Sequence, residues 1–211
     1  MSALTLGILI SGRGSNMHAI ADAIDQGTLD TSIGIVVSNN PEARGLDRAR
    51  ERGLPFTIVN RRDGRTRIER HRDILKALSL AKVDLVVCAG FDEILIAEIT
   101  TAFADRIVNI HPSLLPAFGG GMHATQDALN YGAKVTGCTV HFVTADLDNG
   151  PILLQRTVDI REEDTEESLA ARVLEQEHQA LPEAIRLIAA GRVSINGRRV
   201  RIAPAPVSAV R

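Results

Sequence analysis

The chain has 211 residues, 45% of them hydrophobic, and its 24 basic and 26 acidic side chains leave a formal net charge of -2. That describes a globular chain able to bury a sizeable core in one domain, not a disordered one. It excludes a global basic field for nucleic acid, so no nucleic-acid partner is expected.

The first apolar run, "LTLGILI", has no basic leader and is too short for a signal or membrane helix, so a cytoplasmic location with no membrane attachment is expected. It opens a series of short β-branched runs, continuing with "IGIVVS", "FTIV", "VDLVVCA" and "RIVNI". Each reads as a strand buried on both faces, the pattern of a parallel sheet. Between them, Met17, Ile20, Ala21 and Ile24 mark one helical stripe, and Ile68, His71, Leu75 and Leu78 mark another. Gly27 and Gly53 are helix stops. Strand and helix alternating in this way predict an α/β fold, a doubly wound, Rossmann-like and mostly parallel sheet with helices on both faces.

After Pro116 the pattern changes to a glycine-rich loop, a short helix, and two further strands in "KVTGCTVHFVT" and "GPILLQRTVDI". A long helix is predicted from about Asp164, capped with Glu167 as partner, and Pro182 predicts a kink after His178. Asn196-Gly197 in "RVSINGRRVRI" marks a closing hairpin that extends the sheet or pairs with a second subunit, as in a homodimer. The tail "APAPVSAVR" is expected to be loose. The whole reads as one domain, with a Rossmann-like half over residues 1–116, a second half over 117–190 and the hairpin and tail over 191–211. Cys88 and Cys138 sit inside apolar runs and read as buried small hydrophobes, with no disulfide framework suggested.

Several short stretches carry polar groups where strands end. In "RIVNIHPSLLP", Pro112 and Pro116 force the chain out of the sheet, leaving Asn109 and His111 at a strand's C-terminal mouth, where open α/β sheets bind ligands. A turn cap and a surface histidine would explain these two residues without function. In "ISGRGSN", glycines and the free N–H groups of a helix N-terminus suit a phosphate, although Met17 replaces the third glycine of the dinucleotide fingerprint and no Walker lysine is present. In the long helix, Glu177 and His178 fall on the inward stripe and need partners. In "HFVTADLDNGP", Asp148 is placed as a turn-former would be, yet a carboxylate near an imidazole also orients it and favours its charged form. The arginine-rich "NRRDGRTRIERHR" reads mostly as a solvated face, with Arg67 near the strand mouths. The six histidines, His18, His71, His111, His123, His141 and His178, are too scattered for a zinc site, no metal is expected, and no G-x-S-x-G elbow is present.

Taken in order, "GRGSN", "NIHPSLLP", "HFVTADLDNGPI" and "EQEH" resemble the phosphoribosylglycinamide formyltransferases, over about residues 6–190. The resemblance implies formyl transfer from the co-substrate 10-formyltetrahydrofolate to the amine of glycinamide ribonucleotide, a step of purine (IMP) synthesis. Carried over by motif, Asn109, His111 and Asp148 are the catalytic group, with His141 supporting it. Gly14, Ser15 and Asn16, helped by Arg67, hold the substrate phosphate, and Glu177 faces the ribose. Phe91, Ile94, Leu95, Val143 and Thr144 form the folate pocket. One departure is "AGFDEIL", where many members carry an arginine and this chain has Asp92 and Glu93, so Glu93 is expected to repel the glutamate tail of a folate. The Gly119–Gly121 loop is expected to be a flap over the site. Alternatives within the same chemistry are a formyltetrahydrofolate hydrolase, disfavoured by the phosphate loop and by the absence of a preceding regulatory domain, and a methionyl-tRNA formyltransferase, disfavoured by chain length. A non-catalytic nucleotide-binding regulatory module is the alternative of another class.

Overall fold

The computed structural model describes residues 3–205, so the end of the tail expected to be loose lies outside the described residues. Seven strands form the main sheet: β1 (Leu4–Ile10), β2 (Thr31–Ser38), β3 (Phe56–Ile58), β4 (Leu85–Cys88), β5 (Ile107–His111), β6 (Val135–Phe142) and β7 (Ile152–Asp159), in the order β3-β2-β1-β4-β5-β6-β7. The first five run parallel, while β6 is antiparallel to both β5 and β7. The helices are α1 (Ser15–Asp25), α2 (Arg44–Glu51), α3 (Arg67–Leu80), α4 (Ala97–Ala102), α5 (Ala124–Tyr131) and α6 (Glu166–Ala189). The closing hairpin, β8 (Val193–Asn196) with β9 (Arg199–Ile202), forms its own two-stranded sheet and does not extend the main one.

The period of two along each strand divides the interior into two cores. Leu6, Ile8 and Ile10 of β1 face one core with α1 and α6, while Leu9 faces the other with Ile74 and Leu78 of α3 and Ile99 of α4. On β5, Val108 and Ile110 go to the first core and Ile107 to the second. Asn109 and His111 therefore share the face of Ile107, at the end of the strand where the apolar core gives out.

Helix α6 begins one residue later than predicted. Thr165 is the N-cap, exchanging hydrogen bonds with Ser168, because Asp164 is already occupied by the Arg161 amide and the Arg172 guanidinium. Helical assignment continues unbroken through Pro182 to Ala189. Leu169, Val173, Leu181 and Ile185 bury its inner stripe in the first core, and Glu177 lies on that same stripe.

Helix α3 departs from its predicted stripe: Ile68 is 48% exposed, and Arg70, His71, Ile74 and Leu78 are the buried residues. The rotation follows from Arg70, whose two terminal nitrogens bind Glu93 at 3.0 and 2.7 Å and draw it inward. His71 beside it is fully buried, with neither ring nitrogen hydrogen-bonded among the described residues and Nε2 3.7 Å from Glu93 Oε2. Burial, partly offset by Glu93, holds its imidazole below the ordinary 6.5.

A histidine with a lowered native pKa binds fewer protons folded than unfolded, so its contribution to stability is lost as pH falls below the unfolded value. His71→Leu is expected to be near neutral at about pH 8, since no hydrogen bond is lost. It is also expected to lose less stability than wild type between about pH 8 and about pH 5, as read by urea denaturation at each pH.

Candidate active site

Strand register assembles the polar group. In the β5–β6 pair, Asn109 stands opposite His141 and His111 opposite Thr139. Facing side chains on paired strands lie within reach of one another, and Asn109 Nδ2 is 3.2 Å from His141 Nε2. His141 Nδ1 lies 3.0 Å from the Phe142 carbonyl oxygen, a contact that requires a proton on Nδ1. Burial, only partly opposed by that carbonyl and by Asp148, holds the His141 imidazole below its ordinary value, so the neutral ring accepts from the Asn109 carboxamide through Nε2. Its 3.6 Å approach to Asp148 Oδ1 is then a proximity of two acceptors and not an ion pair. The tautomer of His141 thus fixes which way the Asn109 amide points, and leaves a second N–H on Nδ2.

His111 faces acceptors on both sides. Its Nε2 is 3.0 Å from the Phe118 carbonyl oxygen and its Nδ1 is 3.4 Å from Asp148 Oδ2, an arrangement a doubly protonated ring satisfies. Asp148 has a φ of 49°, a left-handed conformation that costs a non-glycine residue about 1–2 kcal/mol. Its Oδ2 also accepts from the Gly120 amide at 2.9 Å, so the glycine-rich loop expected as a flap touches both His111 and Asp148.

The turn after β5 is held by a buried hydroxyl. Thr139 Oγ1 donates to the Ser113 carbonyl at 2.7 Å and accepts from the Leu115 amide and from Gln155 Nε2, each at 3.0 Å. No motif signals this network, whose members lie up to 40 residues apart.

The glycine-rich loop before α1 has the predicted form. Gly14 has a φ of +67°, and a Cβ there would stand 2.6 Å from the Gly45 Cα, so α2 packs where only glycine fits. No side chain caps α1, leaving its first-turn N–H groups without a side-chain acceptor. Asn16 Nδ2 donates to Glu177 Oε2 at 2.8 Å, while Asn16 Oδ1 is buried without a partner among the described residues. Burial raises the Glu177 carboxyl despite that bond. Gly14, Ser15, Asn16 and Glu177 therefore form one cluster. Arg67 opens α3 as an exposed residue, and no hydrogen bond among the described residues ties it to that cluster.

All five expected folate residues, Phe91, Ile94, Leu95, Val143 and Thr144, line one open pocket. Asn109, His141 and Asp148 line the same pocket, which joins it to the catalytic candidates. Glu93 lines it too, but as a carboxylate already bound by Arg70 and by Asn39 Nδ2 at 2.8 Å. Asp92 pairs with Arg61 and Asn39. Burial pushes the Glu93 carboxyl up, yet the Arg70 and Asn39 bonds outweigh it and hold the group below the ordinary range. The repulsion expected of a bare Glu93 is therefore offset by a paired cation.

The formyl transferase family model matches residues 5–185, and the chain belongs to that family. It is 39% identical to the phosphoribosylglycinamide formyltransferase of Haemophilus influenzae, covering 90% of this chain and 89% of that protein. It is 40% identical to the human trifunctional purine biosynthetic protein adenosine-3 over 90% of its own length, but spans only 19% of that longer protein. The crystal structure of glycinamide ribonucleotide transformylase 1 from Symbiobacterium toebii superposes with a TM-score of 0.93 at 45% identity, covering 96% of this chain and 95% of that one.

The raised carboxyl of Glu177 makes a stability prediction. A group with a raised native pKa favours folding at low pH, and that advantage is lost as pH rises from the ordinary 4.5 through the raised value. Glu177→Gln keeps an acceptor for Asn16 without the buried charge and is expected to be at least as stable as wild type near neutral pH. Glu177→Ala, which strands the Asn16 donor, is expected to lose about 1–3 kcal/mol in denaturant titrations.

Proposed function

We infer that this protein transfers a formyl group from 10-formyltetrahydrofolate to the amine of 5'-phosphoribosylglycinamide, giving the N-formyl product and tetrahydrofolate in purine biosynthesis. The observation that carries the inference is the convergence of Asn109, His111 and Asp148 beside a pocket lined by the expected folate residues, on a chain that also has an uncapped, glycine-led helix start. A phosphate suits those first-turn amides, and the paired Asn16 and Glu177 offer an amide and a carboxylic group to the adjoining ribose.

In this reading the substrate amine attacks the formyl carbon and the carbonyl electron pair moves to oxygen. The second N–H of Asn109 meets that oxyanion, and His111 does so through Nε2–H once that donor is released from the Phe118 carbonyl. The Asp148 carboxylate orients His111 and helps move the proton from the attacking nitrogen toward the leaving one. Collapse of the adduct restores the formyl C=O and breaks its bond to the folate nitrogen, which leaves with the proton. His141 acts by holding the Asn109 amide in the donating orientation. No covalent enzyme intermediate is needed.

Incubating the protein with 10-formyltetrahydrofolate, with and without glycinamide ribonucleotide, while following folate release and formylated amine, tests this reading. Release that depends on the amine and matches product one for one is expected. Equal release without the amine would mean that water is the acceptor. Two variants then separate the roles. Asn109→Ala is expected to lower kcat by about 10²–10³. Asn16→Ala is expected to raise KM for the phosphorylated amine more than it lowers kcat.

A further inference from the structure

The closing hairpin reaches the loop that carries Asp148, through a residue the reading above does not use. Arg198 follows Gly197, whose φ of 58° turns β8 into β9. Its Nη1 donates to the Asn149 carbonyl oxygen at 2.7 Å and to Asn149 Oδ1 at 3.1 Å, across 49 residues of sequence. Neither end of this clamp is free to wander. Val193, Ile195 and Val200 seat the hairpin on the first core, and Arg192 and Ala203 close its base with bonds of 2.7 and 2.8 Å. On the loop side, Gly150 lies so close to β6 that a Cβ there would stand 1.7 Å from the Phe142 carbonyl oxygen.

Between these anchors stands Asp148, in the left-handed conformation that aims its carboxylate at His111 and His141. The rest of the loop is loosely tied: the Asn149 amide reaches the Asp146 carbonyl at 3.4 Å, and Thr144 Oγ1 reaches the same carbonyl at 3.3 Å. We propose that Arg198 is a positioning residue for the formyl transfer, gripping the Asn149 peptide so that Asp148 is held against His111. The hairpin is then a brace for the site. This rests on the formyl-transfer reading for its effect on turnover, but not for its effect on geometry.

The experiment compares wild type with Arg198→Ala and Arg198→Lys, using Asp148→Asn as reference, by the ¹⁵N spectrum of the histidine rings and by steady-state kinetics. Arg198→Ala is expected to shift the His111 ring signals toward those of Asp148→Asn and to lower kcat about tenfold. KM for the phosphorylated amine should hold, because the clamp lies apart from the Asn16–Glu177 cluster. Lysine offers one ammonium nitrogen of similar reach that can make both bonds, as Nη1 does, and should restore most of both readouts. Ring signals and kcat unchanged in Arg198→Ala would overturn the proposal. So would a loss of kcat with unchanged ring signals that tracked a fall in melting temperature, the mark of a merely structural role. Should Arg198→Ala not fold, Arg198→Gln, with a donor of shorter reach, gives the same readouts. If the wild-type chain transfers no formyl group, the functional reading fails, and the ring spectrum still decides the role of Arg198.

Discussion

The site depends on the antiparallel pairing of β5 with β6. A parallel neighbour would offer another strand end at the mouth of β5, whereas the reversed strand sets His141 directly across from Asn109 and Thr139 across from His111. One cross-strand pair orients the carboxamide and the other pins the turn that follows. Because side chains alternate along a strand, a slip of one residue in either strand would send its own two groups into the first core. The apolar residues that flank them, Val108, Ile110, Val140 and Phe142, make that slip costly, since each is buried in that core. Packing and chemistry are thus set by the same register.

Burial then divides the polar groups by role. His141, nearly sealed from solvent, stays neutral and serves as an acceptor, while His111 keeps acceptors at both nitrogens. Away from the reacting groups, buried charge is matched: Arg70 grips Glu93 with two nitrogens, and Asn39 bridges Glu93 and Asp92. A carboxylate left alone at that depth would cost more than its neighbours return. These pairs shape one wall of the pocket while removing the net charge a bare acidic residue would impose on it.

Much of this was legible in the sequence. Both-face burial in "LTLGILI" and its successors predicts the parallel sheet, and the two prolines after His111 predict where the chain leaves it. Four motifs in one order carried Gly14, Ser15, Asn16, Asn109, His111, His141, Asp148 and Glu177, and the structure places these in two clusters, one around Asp148 and one around Glu177, with Arg67 in neither. What escaped depends on contacts between distant positions. Nothing local distinguishes Arg70 from the other arginines of its segment until Glu93 is beside it, which is why the buried face of α3 was misjudged at Ile68. Asp164 looked like a cap because its partner, Arg172, lies two helical turns away. The Thr139 network and the reach of Arg198 to Asn149 join strands and loops whose separation in sequence hides them.

In the proposed mechanism the carboxylate of Asp148 acts in the chemistry through His111, apart from the groups proposed to bind the substrate phosphate. The measurement that tests it most directly is the turnover number of Asp148→Asn with both substrates saturating, alongside the dissociation constant of glycinamide ribonucleotide for the same variant. A fall in kcat of about a hundredfold or more, with amine affinity within about twofold of wild type, is the predicted result. Turnover near wild type, or a loss accounted for by weaker amine binding, would contradict it.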